Sequence, residues 1–166
     1  MVHYPCIAAM DFATVTGFCV GSPGKKPVFG SQRMGPVGSP DAAVYAAAFK
    51  FGADIARDHN VNRVRYEATI DPRHLGPKTT RKTCLRLGGI PAAATAAFYL
   101  CQVTDIEEIR AQKVRDWLLG CRPKKDVMKA AVMAAVLERG FDVEGDDNAA
   151  DAVAIWLHYC HLSGFD

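Results

Sequence analysis

Cys6-Ile7-Ala8-Ala9-Met10-Asp11-Phe12-Ala13-Thr14-Val15-Thr16-Gly17-Phe18-Cys19-Val20-Gly21-Ser22-Pro23-Gly24 is the stretch on which the fold turns. An apolar run from Cys6 to Met10 ends abruptly in an acid, Asp11. A second run, Phe18 to Val20, follows Thr14-Val15-Thr16-Gly17 and stops at a strong turn signal, Gly21-Ser22-Pro23-Gly24. Val28 to Met34 reads as a third strand, so the stretch predicts an antiparallel three-stranded meander.

Outward from the meander, Gly35 to Pro40 breaks the chain and Asp41 is placed to cap a helix from Ala42 to about His59. Val44, Ala48, Phe51 and Ile55 form its buried stripe. Arg63 to Tyr66 predicts a fourth strand ending at Glu67, and Asp71 to Lys82 a polar surface loop. Thr83 to Leu100 is an Ala-rich helical segment that Gly88-Gly89 and Pro91 should interrupt. Val103 to Arg110 holds a fifth strand, and Lys113 to Leu119 a short helix closed by Gly120. Pro123 opens a helix to about Arg139, with Val127, Ala130, Ala131, Ala134 and Leu137 on its apolar face. Asp146-Asp147-Asn148 then starts a terminal apolar helix, Ala149 to about His161.

This order of elements predicts a single α/β domain over residues 1–166, a five-stranded mixed sheet flanked by helices. The length suits one domain and excludes a (β/α)8 barrel or a two-domain ATPase. With 49% hydrophobic residues the chain is not disordered, and a net charge of +2 supplies no whole-molecule polycation. No apolar run is long enough to span a membrane, and the N-terminus lacks the pattern of a signal peptide, so a cytoplasmic location is expected. The six cysteines are scattered with no CxxC pair, which predicts reduced thiols and no zinc site. Cys160 reads as a core side chain despite its neighbour His161.

Acids fall at the ends of elements: Asp11, Glu67, and Asp147 with Asp151 in the first turn of the last helix. Singly, Asp11 equally suits an Asx turn and Asp147 an N-cap. As a cluster, ionised carboxylates are costly to bury unless cations fill the gap. All-oxygen ligands favour Mg²⁺ or Mn²⁺, and a pair of such ions suits phosphodiester hydrolysis.

The segment Met10 to Phe18 resembles the opening strand and turn of RuvC-type Holliday junction resolvases, an Asp followed by a turn and a Thr-Gly pair. Tyr66-Glu67 resembles their second acid, Leu87-Gly88 and the Ala-rich stretch after it their second helix. Asp147-Asn148-Ala149-Ala150-Asp151-Ala152-Val153-Ala154-Ile155 is similar to their closing helix. The resemblance spans nearly the whole chain and implies an RNase H-like fold and a structure-selective endonuclease that cuts four-way junctions in pairs. It further implies two Mg²⁺ per site (Mn²⁺ substituting), branched DNA as partner, a homodimer, and no membrane or small-molecule cofactor. The dimer contact is expected on the Ala-rich segment, through Ala92, Ala93, Ala96, Ala97 and Leu100. Asp11, Glu67, Asp147 and Asp151 would hold the metals, with Lys125 or Arg115 steadying charge on the phosphate. Where the family places its third acid this chain has Asn148, so Asp147, Asn148 or Asp146 remain open as the last ligand. Where an aromatic wedge often stands, it has Ile70.

Charge placement points the same way. Arg73, Lys78, Arg81 and Lys82 cluster before the Ala-rich segment, and Arg110, Lys113, Arg115, Arg122, Lys124, Lys125 and Lys129 surround the Pro123 turn. From Glu138 onward seven acids face one arginine. Basic arms around an acidic centre suit a phosphate backbone. Within the resemblance, Ile70, Arg73, Lys78, Arg81, Lys82, Arg115, Lys124 and Lys125 are the expected DNA contacts. The alternatives are a broader branched-DNA or flap endonuclease, an RNA-processing nuclease of the same fold, and an inactive DNA-binding protein. Actin-like sugar kinases share an Asp-turn-Thr-Gly loop but need two such domains, which this length excludes.

Overall fold

Alternation along the strands decides which side of the sheet each residue serves. In the computed structural model, which describes residues 4–68 and 80–164, the strands are β1 (Ile7–Asp11), β2 (Val15–Gly21), β3 (Val28–Arg33), β4 (Arg63–Glu67) and β5 (Asp105–Ile109). They form one sheet in the order β3-β2-β1-β4-β5. The first three make the expected antiparallel meander, while β4 and β5 join parallel to β1. The helices are α1 (Asp41–Asp58), α2 (Arg81–Leu100), α3 (Ala111–Leu119), α4 (Met128–Glu138) and α5 (Asp147–Leu162).

On one face Ala8, Met10, Val20 and Val64 pack under α1 and α2, through Val44, Ala48, Ile90 and Phe98. On the other, Ile7, Ala9 and Cys19 pack under α3, α4 and α5, through Val114, Val132, Val153 and Trp156. Because strand side chains alternate, Asp11 shares a face with Ile7 and Ala9, and Glu67 lies opposite in parity to Val64 and Tyr66. Both acids therefore belong to the α5 side. Arg65 shares that parity and is only 4% exposed. It pairs with Asp105 at 2.7 Å, donates to Tyr159 Oη at 3.3 Å and stacks 4.4 Å from the Tyr159 ring centroid. This contact ties the C-terminal half of α5 to β4 and sets the direction in which its first turn points.

Three expectations are corrected. α2 runs unbroken through Gly88, Gly89 and Pro91. Tyr45 of α1 lies so close that a Cβ at Gly89 would stand 2.3 Å from its ring, and its hydroxyl donates to the Leu85 carbonyl at 2.9 Å. Packing against α1 thus overrides the local breakers. α4 begins at Met128, not Pro123, and buries Val132, Ala135 and Val136, leaving Val127 and Leu137 exposed. Asp41 does not cap α1: Pro40 holds that position, and Asp41 in the first turn accepts from Arg86 Nε at 2.7 Å, joining the starts of α1 and α2. No helix among the described residues is long and apolar enough to cross a membrane.

Candidate active site

β1 and β4 run parallel and adjacent, with Met10 opposite Tyr66, so the next residues, Asp11 and Glu67, end both strands side by side. β1 turns back into β2 through a knot made by Thr16. This residue is fully buried, and its hydroxyl donates to the Ala13 carbonyl at 2.8 Å. Gly17 then pairs with Asp11 across the meander. A Cβ at Gly17 would meet the Asn148 carbonyl oxygen at 1.9 Å, so the absence of a side chain there admits the first turn of α5 onto the sheet. The Thr-Gly pair of the opening motif acts on geometry: it brings α5 to Asp11.

Asp146 is the N-cap of α5, accepting from the backbone N–H of Asn148 at 3.0 Å and of Ala149 at 3.1 Å. Burial works to raise its carboxyl, but hydrogen bonds from Ser31, Ala149 and Asn148 outweigh it and hold the group below its ordinary value. Asp147 and Asp151 lie one turn apart, on the same side of a helix at i and i+4. The Asn148 carbonyl is turned to Gly17, and its side chain lies 3.4 Å from Asp147 Oδ1.

The gathered carboxylates feel one another. Asp11 is pushed up to about 7, first by burial and then by Glu67 and Asp151, with Arg115 opposing and Asp147 adding. Burial likewise raises Glu67, where Arg115 opposes and Asp151 adds, and Asp151, where Arg115 and Lys129 oppose and Asp147 adds. Arg115 Nη2 lies 3.6 Å from Glu67 Oε2 and 3.9 Å from Asp151 Oδ1, shared between the two. Lys129 of α4 forms an ion pair with Asp147.

Of the expected basic residues, Arg115 therefore stands in the acid cluster. Lys124 and Lys125 are exposed ahead of α4, and Arg81 and Lys82 are exposed in the first turn of α2. Ile70, Arg73 and Lys78 lie outside the described residues. Lys129 is the site residue that sequence reasoning passed over. It follows Lys125 by four positions, so a helix drawn from Pro123 already put both on one side. Cys160 is a core residue as expected, and burial, with Cys160 nearby, pushes the Cys19 thiol well above its ordinary value.

The donor set fits a hard divalent cation. The donors are carboxylate oxygens, and Asp11, raised to about 7 by burial first and then by its acidic neighbours, is a carboxyl that a nearby cation would favour as the anion. As the side chains stand, the described residues include no three acids, histidines or cysteines converging on one point; Arg115 and Lys129 serve as counterions instead.

No family model matches the chain, and no curated protein matches its sequence. Among solved structures it is similar to Thermus thermophilus RuvC in complex with a Holliday junction substrate, with a TM-score of 0.72 and 16% identity, covering 96% of this chain and 95% of that one. It is similar to a second structure of Thermus thermophilus RuvC, with a TM-score of 0.68 and 16% identity over 96% of this chain and 97% of that one. The yeast mitochondrial Holliday junction resolvase Ydc2 follows with a TM-score of 0.60 and 12% identity, over 93% and 78%. At such identities the likeness shows the fold, and the fold is that of RuvC: an RNase H-like mixed sheet in the order 3-2-1-4-5 with helices on both faces.

Proposed function

We propose that this chain is a metal-dependent, structure-selective DNA endonuclease that resolves four-way junctions by paired phosphodiester hydrolysis. The observation that carries the reading is the placing of carboxylates from β1, β4 and α5 at one end of the sheet, near enough for Glu67, Asp151 and Asp147 to add to burial in raising Asp11 to about 7. The likeness to resolvases, one of them in complex with a Holliday junction substrate, supports the choice of DNA.

Asp11, Glu67, Asp147 and Asp151 would hold two Mg²⁺ ions, for which Mn²⁺ substitutes. When bound, such ions supply an activated water and stabilise the leaving oxygen of a phosphodiester. Asp11 and Asp151 would be shared holders of the ions, Glu67 would hold the one that activates water, and Asp147 would complete the set. Arg115, already against Glu67 and Asp151, offsets negative charge building on the scissile phosphate. Lys125, exposed ahead of α4, supports it from farther out, and with Lys124, Arg81 and Lys82 grips the flanking backbone. Ile70, Arg73 and Lys78, outside the described residues, are kept as proposed DNA contacts, Ile70 as an apolar wedge.

Two symmetric cuts call for two sites, so the active species is a homodimer. The outer side of α2 offers the contact: Ala92 and Ala96 are exposed with Tyr99 and Leu100, at 61% and 68%. Ala97, expected on that side, is instead fully buried in its own core.

The test is cleavage of a labelled four-way junction against flap, duplex and single-stranded controls, with and without Mg²⁺. Paired, symmetric, Mg²⁺-dependent nicks in the junction are expected. Preferential flap cleavage would replace the reading with a broader branched-DNA nuclease, and binding without cleavage would replace it with a DNA-binding protein.

A further inference from the structure

Both oxygens of the Asp147 carboxylate are already in use within the protein. Lys129 Nζ donates to Oδ2, and Asn148 Nδ2 lies 3.4 Å from Oδ1. A divalent cation approaching Oδ2 meets the ammonium's charge beside it, and the two repel each other at close range. The two protein cations of the site differ in how firmly they are held. Arg115 is a broad guanidinium, 29% exposed, shared between Glu67 and Asp151. Lys129 is 73% exposed, on a flexible stem, and pairs with Asp147, which is 31% exposed. Lysine presents a compact point charge that rotates and withdraws into water easily, whereas arginine presents a rigid fork. Exposed pairs of this kind are held weakly.

We propose that Lys129 is an exchangeable counterion of the site: it neutralises Asp147 while no divalent cation is bound, leaves when one arrives, and thereby sets how tightly the Asp147 side of the site takes that cation. The inference rests on the reading that these carboxylates hold divalent ions. It follows from charge alone. A neighbouring ammonium raises the cost of placing a doubly charged ion on the same carboxylate, and an ammonium that withdraws into water relieves that cost. Lys129 is thus a positioning residue acting through Asp147.

The readout is Mn²⁺ binding to the full chain without DNA, followed by the electron paramagnetic resonance signal of free Mn²⁺ at low salt. Lys129→Gln and Lys129→Met should each bind Mn²⁺ about three- to tenfold more tightly at one site, while Lys129→Arg, which keeps the charge on a stiffer fork, binds no more tightly than the wild type. Asp147→Asn should weaken that site, and the gain of Lys129→Gln should shrink at about 0.5 M KCl as screening sets in. Wild-type melting temperatures in the Lys129 variants, expected for so exposed a side chain, confirm that they fold. If the wild type binds Mn²⁺ and Asp11→Asn abolishes binding, but Lys129→Gln and Lys129→Met bind no more tightly, the counterion role is overturned and the nuclease reading stands. An equal gain in Lys129→Arg would assign the effect to packing and overturn it too. If the wild type binds no more Mn²⁺ than Asp11→Asn does, both readings fall together.

Discussion

Gly17 lies so close to Asn148 that a Cβ built on it would stand 1.9 Å from the Asn148 carbonyl oxygen and 2.5 Å from its carbonyl carbon. The obstruction is backbone at the start of a helix, which cannot swing aside as a side chain can. Gly17→Ala must therefore lift the first turn of α5 from β2. We expect a loss of roughly 3 kcal/mol or more in stability, at the upper end of overpacking. Cleavage should fall further than the folded population does, because Asp147 and Asp151 leave Asp11. Chemical denaturation and junction cleavage on the same preparation check this; an active, wild-type-stable Gly17→Ala would contradict the close approach.

The carboxylates are expected to be individually indispensable for cutting. Asp11→Asn, Glu67→Gln and Asp151→Asn should each slow junction cleavage by about a thousandfold or more, a loss of several kcal/mol in the transition state. Junction binding should persist, since amides repel phosphate less than carboxylates do. Asp147→Asn should do more harm than Asn148→Ala, whose carbonyl faces Gly17. The opposite order would move the last ligand to Asn148.

Without divalent ions the fold should weaken as pH rises. The Asp11 carboxyl goes from its ordinary 3.8 to about 7 in the folded chain. Between those values the folded chain keeps a proton that the unfolded chain has released, so stability falls through this range, with the full penalty above it. The gap is worth on the order of 4 kcal/mol, and the raised Glu67 and Asp151 act in the same direction. His158, lowered by burial with His161 and Lys113, opposes the trend below its ordinary 6.5. Subtracting Asp11→Asn isolates the Asp11 share: in EDTA the variant should melt higher than wild type at about pH 8, and the difference should fade toward about pH 4. A pH-independent difference would contradict the charge argument.

Replacing Arg81 and Lys82 together, or Lys124 and Lys125 together, by alanine should weaken binding to every DNA shape. The salt dependence should flatten by roughly one unit of slope for each phosphate no longer held. An unchanged slope would leave those lysines and arginines on a merely hydrated surface.

Light scattering at micromolar concentration should give a dimer of the 18.0 kDa chain, and Leu100→Arg, on the outer side of α2, should shift it to monomer. A mass of 18.0 kDa with and without junction DNA would contradict the dimer.

What could be read from the sequence was whatever a short pattern controls. The Asp11 and Glu67 termini follow from strand-forming runs that stop at an acid, and the start of α5 from the cap-forming Asp146-Asp147-Asn148, in which Asp146 and not Asp147 takes the cap. The side of α4 that packs inward was not legible. Lys129-Ala130-Ala131-Val132-Met133-Ala134-Ala135-Val136-Leu137 is apolar nearly all round, so no periodicity marks one side; contact with α5 chooses Val132, Ala135 and Val136. The continuity of α2 was hidden for a different reason. Gly88, Gly89 and Pro91 break helices in isolation, and only Tyr45, 44 positions before Gly89 in the chain, makes the missing side chain at Gly89 an advantage. Lys129 was hidden because its partner comes from another helix.

β5 ends the sheet, and its five residues, Asp105-Ile106-Glu107-Glu108-Ile109, carry three acids. Asp105 and Glu107 lean on Arg65, while Glu108 accepts from the Tyr66 hydroxyl at 3.0 Å. An open strand edge invites another chain to add to it, and a row of acids makes that addition repulsive between identical copies. The charges that hold Arg65 in place thus also guard the border against stacking into fibres.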